Sequence, residues 1–187
     1  AGLQFLFNER HFYQPLLTLV AKKVDYQVTP VPLNKGEADF VADVQRAWTN
    51  GVFPDEADVY LLRNIAGKGA VGVFIDGGFE PDFILWINYK GQQHVVFIDP
   101  KGLRQLQAND PKINFYLSIK DLERALHANN QSKRNIKLHS FIISQTRAAV
   151  LESLWSGQTQ ASMEDKHILF PEDDELYMEK LVQKLGL

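Results

Sequence analysis

The sequence predicts an α/β fold: a mixed β-sheet with helices on both faces. Three observations point there. Two short apolar runs, Phe83–Ile87 and His94–Ile98, flank a polar turn and are apolar on both faces, as in strands covered by helices rather than at a wet edge. Helical periodicity appears before this pair, from Asn34 to about Asn50, and after it, from Asp110 to about His127. The second helix then leads into another apolar strand, Ile136–Ser144, and crossing back by a helix implies a mixed sheet.

The elements follow in order. Leu3–Phe7 reads as a short strand. His11–Val20 reads as an amphipathic helix kinked near Pro15, and Tyr26–Pro32 as extended chain because of Pro30 and Pro32. Residues 1–33 thus form an N-terminal extension packed on a core of 34–146. Asn34 is a helix N-cap with Glu37 three residues on, the pattern of a capping box, and Asn50-Gly51 stops the helix. Val41, Val44 and Trp48 continue a buried stripe in line with Glu37. Asp58–Arg63 reads as a strand, Ala66-Gly67-Lys68-Gly69 as a turn, Val71–Ile75 as a strand and Asp76-Gly77-Gly78 as a turn into the central hairpin.

Asn88–Gln92 holds Gly91 and reads as a tight turn. Centred between Lys90 and Gly91, it pairs Asn88 with Gln93 and Asp82 with Asp99. A bulged three-residue turn would instead set Asp82 against Ile98. Downstream, Asp110-Pro111 looks like an N-cap followed by proline at the first helical position, with Phe115, Ile119, Leu122 and Leu126 as the buried stripe. Residues 129–135 read as a basic loop. Residues 147–187 form a C-terminal helical extension. Within it, Arg147–Trp155 is a short helix, Gln158–Ser162 a loop and His167–Phe170 an edge strand. Pro171-Glu172-Asp173-Asp174-Glu175 opens a last helix, whose acids suit its N-terminus.

The chemistry gathers at the far end of the hairpin. Directly opposed residues have Cβ atoms ~5 Å apart on one face. Lys101 lies two residues beyond Asp99 and shares that face. Two opposed carboxylates at the end of apolar strands repel, so either one takes a proton or a cation sits between them. Oxygen-only ligation by few protein groups suits Mg²⁺, which keeps waters and takes phosphate oxygens. Such an ion polarises a phosphoryl group and lowers the pKa of a bound water. Lys101 is placed to steer that water or balance charge on the phosphate. This arrangement favours metal-dependent phosphodiester hydrolysis. The competing reading is an ordinary salt bridge between Asp82 and Lys101 at a strand end. Asp/Glu-x-Lys alone is a weak signal, since it also occurs at Asp110-Pro111-Lys112 and Glu164-Asp165-Lys166. Only the Asp82…Asp99-Pro100-Lys101 combination joins an acid opening one apolar strand to an Asp-x-Lys closing the next.

Pro81-Asp82 followed by Asp99-Pro100-Lys101 resembles the PD-(D/E)xK nuclease signature. The longer strings Phe79–Ile87 and Phe97–Gly102 are similar to the C-terminal endonuclease domain of type III restriction enzyme Res subunits and related helicase–nuclease proteins. Leu33-Asn34-Lys35-Gly36-Glu37 and Leu61-Leu62-Arg63-Asn64 resemble neighbouring blocks of that domain, and the likeness runs from about Pro30 to Thr146. It implies a restriction-endonuclease-like αβββαβ core. It implies that Asp82 and Asp99 bind Mg²⁺, with Mn²⁺ able to substitute, and that Lys101 assists catalysis. An acid on the first helix joins the metal site in many such nucleases, and Glu37 is the matching position, in competition with its capping role. The resemblance also implies DNA as the substrate, with a helicase or ATPase segment or subunit and a methyltransferase recognition subunit as partners.

Composition bounds the alternatives. The chain has 187 residues, enough for one domain with a real core, and 45% hydrophobic and 23% charged residues are ordinary for a globular protein. Zero cysteines exclude disulfides, thiolate metal sites and a cysteine nucleophile. No secretory signal or membrane-spanning run is visible, so a cytoplasmic location is expected. The glycine-rich turn at 66–69 is not a P-loop, and no ATP site is present in the sequence. The histidines share no metal-ligand spacing. Net charge is −3, yet from Lys101 to Lys137 eight Lys/Arg face three Asp/Glu, a basic stretch next to the candidate site that suits a phosphate backbone. Two other functions remain compatible: a binding module of the same fold that docks DNA or protein without cutting, and a stand-alone homodimeric nuclease or resolvase.

Overall fold

A computed structural model describes residues 3–5, 12–13, 17–19, 31–64, 80–129, 133–173 and 176–187. The expected turns at 66–69 and 76–78 and the expected strand Val71–Ile75 lie outside the described residues. The elements are β1 (Leu3–Phe5), β2 (Phe12–Tyr13), β3 (Leu17–Leu19), α1 (Lys35–Thr49), β4 (Asp58–Arg63), β5 (Phe83–Tyr89), β6 (Gln92–Lys101), α2 (Phe115–Asn129), β7 (Ile136–Ser144), α3 (Ala148–Leu154), α4 (Gln160–Asp165), β8 (Ile168–Leu169) and α5 (Leu176–Leu185). A six-stranded mixed sheet runs β2-β4-β5-β6-β7-β8, and β1 pairs with β3 apart from it. The fold is α/β. No helix of the described residues is long and apolar enough to cross a membrane.

The central hairpin is in the register of the two-residue turn: Phe83 pairs with Ile98, Trp86 with Val95 and Asn88 with Gln93. Lys90 and Gly91 both have positive φ, 47° and 76°. That backbone twist matches the right-handed twist of the strands on either side. The bulged alternative is excluded. β4 and β5 are also antiparallel, whereas β6, β7 and β8 run parallel.

Alternation along the strands divides the core into two layers. Leu61, Phe83, Leu85, Ile87, Val96, Ile98 and Phe141 pack under α1 and α5. Phe40 of α1 meets Phe83 with ring centroids 5.2 Å apart, and burying each such side chain contributes about 1.5–3 kcal/mol. Tyr177 of α5 donates its hydroxyl hydrogen to buried Asp43 of α1 at 2.5 Å and ties the two helices together. On the other face, Ile142, Leu103 and Ile168 pack with α3 and α4, while Ile84, Phe97 and Leu138 meet Phe115 and Ile119 of α2.

α2 lies beside an edge rather than across the face. β8 covers β7 only at Ile142 and Ile143, and among the described residues no other strand pairs with the first half of β7 on that side. Side chains supply the missing bonds. Glu123 accepts from the Leu138 N–H at 2.6 Å, Lys120 donates to the Leu138 carbonyl at 2.6 Å, and His127 meets the Ile136 carbonyl at 2.7 Å. An open edge of this kind is otherwise a template for pairing with another chain.

Several expectations are corrected. Residues Phe12–Tyr13 and Leu17–Leu19 are strands, not a kinked helix; Phe12 and Tyr13 pair parallel to Leu61 and Leu62. Their aromatic and β-branched content suits a strand, and Pro15 between them breaks a helix. α2 starts at Phe115, not at Asp110-Pro111. Asp110 instead closes a preceding turn, where its side chain accepts from the Lys112 N–H at 2.8 Å and its carbonyl from the Ile113 N–H at 2.9 Å. Because α2 faces an edge, its stripe is only half used: Ile119 is buried but Leu122 is exposed. The stretch expected as a loop at Gln158–Ser162 runs into α4, capped by Thr159 and Ser162 in reciprocal hydrogen bonds. Pro171–Asp173 form a 3-10 turn rather than the first turn of an α-helix, and α5 is described from Leu176 to Leu185.

Candidate active site

β6 ends in Asp99-Pro100-Lys101, with Asp99 and Lys101 on one face and Pro100 on the other. Asp99 is buried and forms an ion pair with the Lys101 ammonium beside it. On the neighbouring strand the pairing Phe83–Ile98 continues outward to set Asp82 opposite Asp99. The backbone of Asp82 is held from its other side by Asn64, just past the end of β4. The Asn64 N–H donates to the Asp82 carbonyl at 2.8 Å, and its side-chain amide donates to the Pro81 carbonyl at 2.8 Å. Two strands thus fix one acid, and the hairpin fixes the other.

The electrostatics follow from that proximity. Burial first, then the Asp99 and Glu37 carboxylates, raise the Asp82 carboxyl from 3.8 to about 7 against the opposing Lys101 ammonium. Asp82 also shares a side-chain hydrogen bond with Asp99, which favours its protonated form. Near neutral pH the pair is therefore poised to hold either a proton or a cation.

Glu37 caps its helix as expected. It closes the capping box at the start of α1: its N–H donates to the Asn34 side chain at 3.0 Å, and its carboxylate accepts from the Asn34 N–H at 3.3 Å. Arg63, at the end of β4, lies 3.4 Å from the same carboxylate. Glu37 is thus close enough for its charge to reach Asp82, but its oxygens already serve Asn34 and Arg63. Among the described residues no three His, Cys, Asp or Glu side chains converge as a ligand set for a metal ion. The acids that stand free of the helix cap are the pair Asp82 and Asp99.

That pair fits Mg²⁺ on its donor chemistry. Both ligands are hard carboxylate oxygens, Mg²⁺ is commonly held by one or two carboxylates with waters and phosphate oxygens completing its shell, and the mutual repulsion at Asp82 is what a cation relieves.

Four features escaped the sequence reading. The Gln145 N–H donates to the Lys101 carbonyl at 2.9 Å, so the turn after β7 fixes the backbone that carries Lys101. Gly36 lets the first turn of α1 approach Gln145, whose side-chain amide occupies the place a Cβ would take. Arg63 leaves its buried Nη1 without a hydrogen-bond partner among the described residues. The histidines also meet: His94 Nδ1 and His139 Nε2 lie 3.3 Å apart in the core, with rings stacked. No sequence spacing signals this contact, because it depends on the β6–β7 register. By strand alternation His94 and His139 lie on the opposite face from Asp99.

Comparison of the chain with protein-family models, with curated proteins and with solved structures finds no match.

Proposed function

We propose that this chain is a metal-dependent endonuclease domain that hydrolyses phosphodiester bonds in DNA, built on a restriction-endonuclease-like core. The observation that supports this reading best is the hairpin register, which sets Asp82 against Asp99 with Lys101 beside them at one sheet end. Mg²⁺ bound there would supply a polarised phosphoryl oxygen and an acidified water. Asp82 and Asp99 would hold the ion, and Asp82 must give up its proton first, so metal uptake releases protons below about pH 7. Lys101 is tethered to Asp99 and needs no reorganisation to reach a phosphate oxygen seated at the pair; its ammonium balances the charge that develops during attack. The buried strands behind the pair exclude water and strengthen each of these interactions. Arg63 and Asn34 restrain Glu37, which keeps a third negative charge close without committing it to the ion.

An ATP-driven translocating segment and a methyltransferase recognition subunit belong to this reading as partners, on the strength of the sequence resemblance. The test is nicking of supercoiled plasmid with Mg²⁺ by the wild type, Asp99→Ala and Lys101→Ala. Cleavage by the wild type alone supports the reading. Equal cleavage by all three proteins overturns it.

A further inference from the structure

Three carboxylates, Asp82, Asp99 and Glu37, and two cations, Lys101 and Arg63, meet at the sheet end that carries the acid pair. Lys101 is paired with Asp99, and Arg63 lies 3.4 Å from Glu37. Asp82 is the one acid of this group with no cation paired to it among the described residues. Arg63 ends β4 beside Phe83, the residue after Asp82, and reaches across to the first turn of α1. Its side chain is 10% exposed and that of Glu37 15%. Both Glu37 oxygens are occupied. Oε1 accepts from the Asn34 side-chain amide, and Oε2 accepts from the Asn34 N–H at 3.3 Å and from Arg63 Nη2 at 3.4 Å.

This is not the contact of a guanidinium placed for stability alone. Arginine commonly grips a carboxylate with two parallel N–H bonds of about 2.7–2.9 Å. Here Nη2 makes a single longer contact, and Nη1 is buried with no acceptor among the described residues. A buried donor left without an acceptor is costly, and its persistence points to a role beyond packing.

We propose that Arg63 sets the ion preference of the acid pair by withholding Glu37. While Arg63 holds that carboxylate, an ion finds two protein carboxylates, a set that suits Mg²⁺ and leaves Ca²⁺ short of ligands. The proposal rests on the nuclease reading of the pair. The Glu37 charge already acts on Asp82, so a freed Glu37 is the third ligand at hand. Mg²⁺ keeps its waters and is held by one or two carboxylates, whereas Ca²⁺ takes about six to eight oxygens and binds more tightly as carboxylates are added. Arginine keeps its charge at every working pH, so the withholding does not lapse as a protonated group would. The consequence for hydrolysis is that positions on the ion stay open for the attacking water and a phosphate oxygen.

The test is calorimetric titration of Mg²⁺ and, separately, Ca²⁺ into the wild type, Arg63→Gln, Glu37→Gln, the Arg63→Gln/Glu37→Gln double variant and Asp99→Asn. The readout is the ratio of Ca²⁺ to Mg²⁺ affinity. A change of net charge beside the site, or a loosened fold, moves both ions alike; a change in the number of carboxylate ligands does not. The ratio rises about 10-fold or more in Arg63→Gln and returns to the wild-type value in the double variant. Glu37→Gln alone leaves the ratio unchanged, a result that does not depend on an Arg63 variant folding. An unchanged ratio in a folded Arg63→Gln overturns the proposal, as does a raised ratio that persists in the double variant. So does a ratio that falls in Glu37→Gln, which would make Glu37 a ligand while Arg63 is in place. These outcomes leave the nuclease reading standing. A wild type that binds neither ion, or an Asp99→Asn that binds both as tightly as wild type, defeats that reading and this proposal with it.

Discussion

Replacing Asp82 by Asn should stabilise the metal-free protein at alkaline pH. Asp82 titrates near 3.8 when unfolded and near 7 in the fold, where burial comes first and the Asp99 and Glu37 charges second. A raised carboxyl pKa means that the native state holds a proton the unfolded chain has released. Stability from this group is therefore full below about pH 4, is lost as the pH rises toward 7, and stays lost above. A shift from 3.8 to about 7 corresponds to an upper limit of about 4 kcal/mol at pH 8. Asp82 is only half-buried, and solvent screening cuts this to roughly 2 kcal/mol. Asn keeps the shape and removes the charge. Urea unfolding in EDTA should show Asp82→Asn about 2 kcal/mol more stable than wild type at pH 8 and within about 0.5 kcal/mol of it at pH 4. Millimolar Mg²⁺ should reverse the order, since only the wild type gains from binding. If Asp82→Asn is instead less stable than wild type at pH 8, then Asp82 is a satisfied structural carboxylate and the electrostatic argument for a cation seat is wrong.

Other perturbations probe other parts of the account. Lys101→Ala should lower the cleavage rate about 10²–10³-fold while leaving Mg²⁺ affinity within a few-fold, as read by single-turnover kinetics and calorimetry. Burial, helped by the Lys120 and His94 charges, holds His139 down to about 3, so the native state refuses a proton that the unfolded chain accepts near 6.5. Stability should therefore fall by about 2 kcal/mol between pH 7 and pH 5 at this residue, and His139→Gln should flatten that slope in urea titrations. Tyr177→Phe leaves buried Asp43 short of a donor and should cost about 1–3 kcal/mol by thermal unfolding. Lys90→Asn should stabilise by about 0.5–1 kcal/mol, because Asn tolerates the positive φ that the turn imposes on Lys90.

Local signals that agreed with tertiary context were legible. The Asn34/Glu37 cap set the start of α1, and a turn centred on Lys90-Gly91 set the register that brings Asp82 to Asp99. Failures came where a local signal had a rival. Asp110-Pro111 closes a turn as readily as it opens a helix, and the turn is what forms. Thr159 and Ser162 cap a helix in a stretch whose polar composition reads as loop. The α2 stripe promised a helix lying on the sheet. Among the described residues β8 pairs only with the end of β7, and α2 bonds the rest of that edge through Lys120, Glu123 and His127. Gln145 carried no signal either, because its contact with Lys101 depends on the parallel pairing of β6 and β7.

The claim that Asp82 and Asp99 form a cation seat is tested most directly by calorimetric titration of Mg²⁺ into the wild type and Asp99→Ala at pH 6.5 and pH 8, in buffers of different ionisation enthalpy. The account expects one ion bound by the wild type, proton release at the lower pH that disappears at the higher, and no binding by Asp99→Ala. Wild-type protein that takes up no ion at millimolar Mg²⁺ or Mn²⁺, or Asp99→Ala that binds as tightly as wild type, would contradict it.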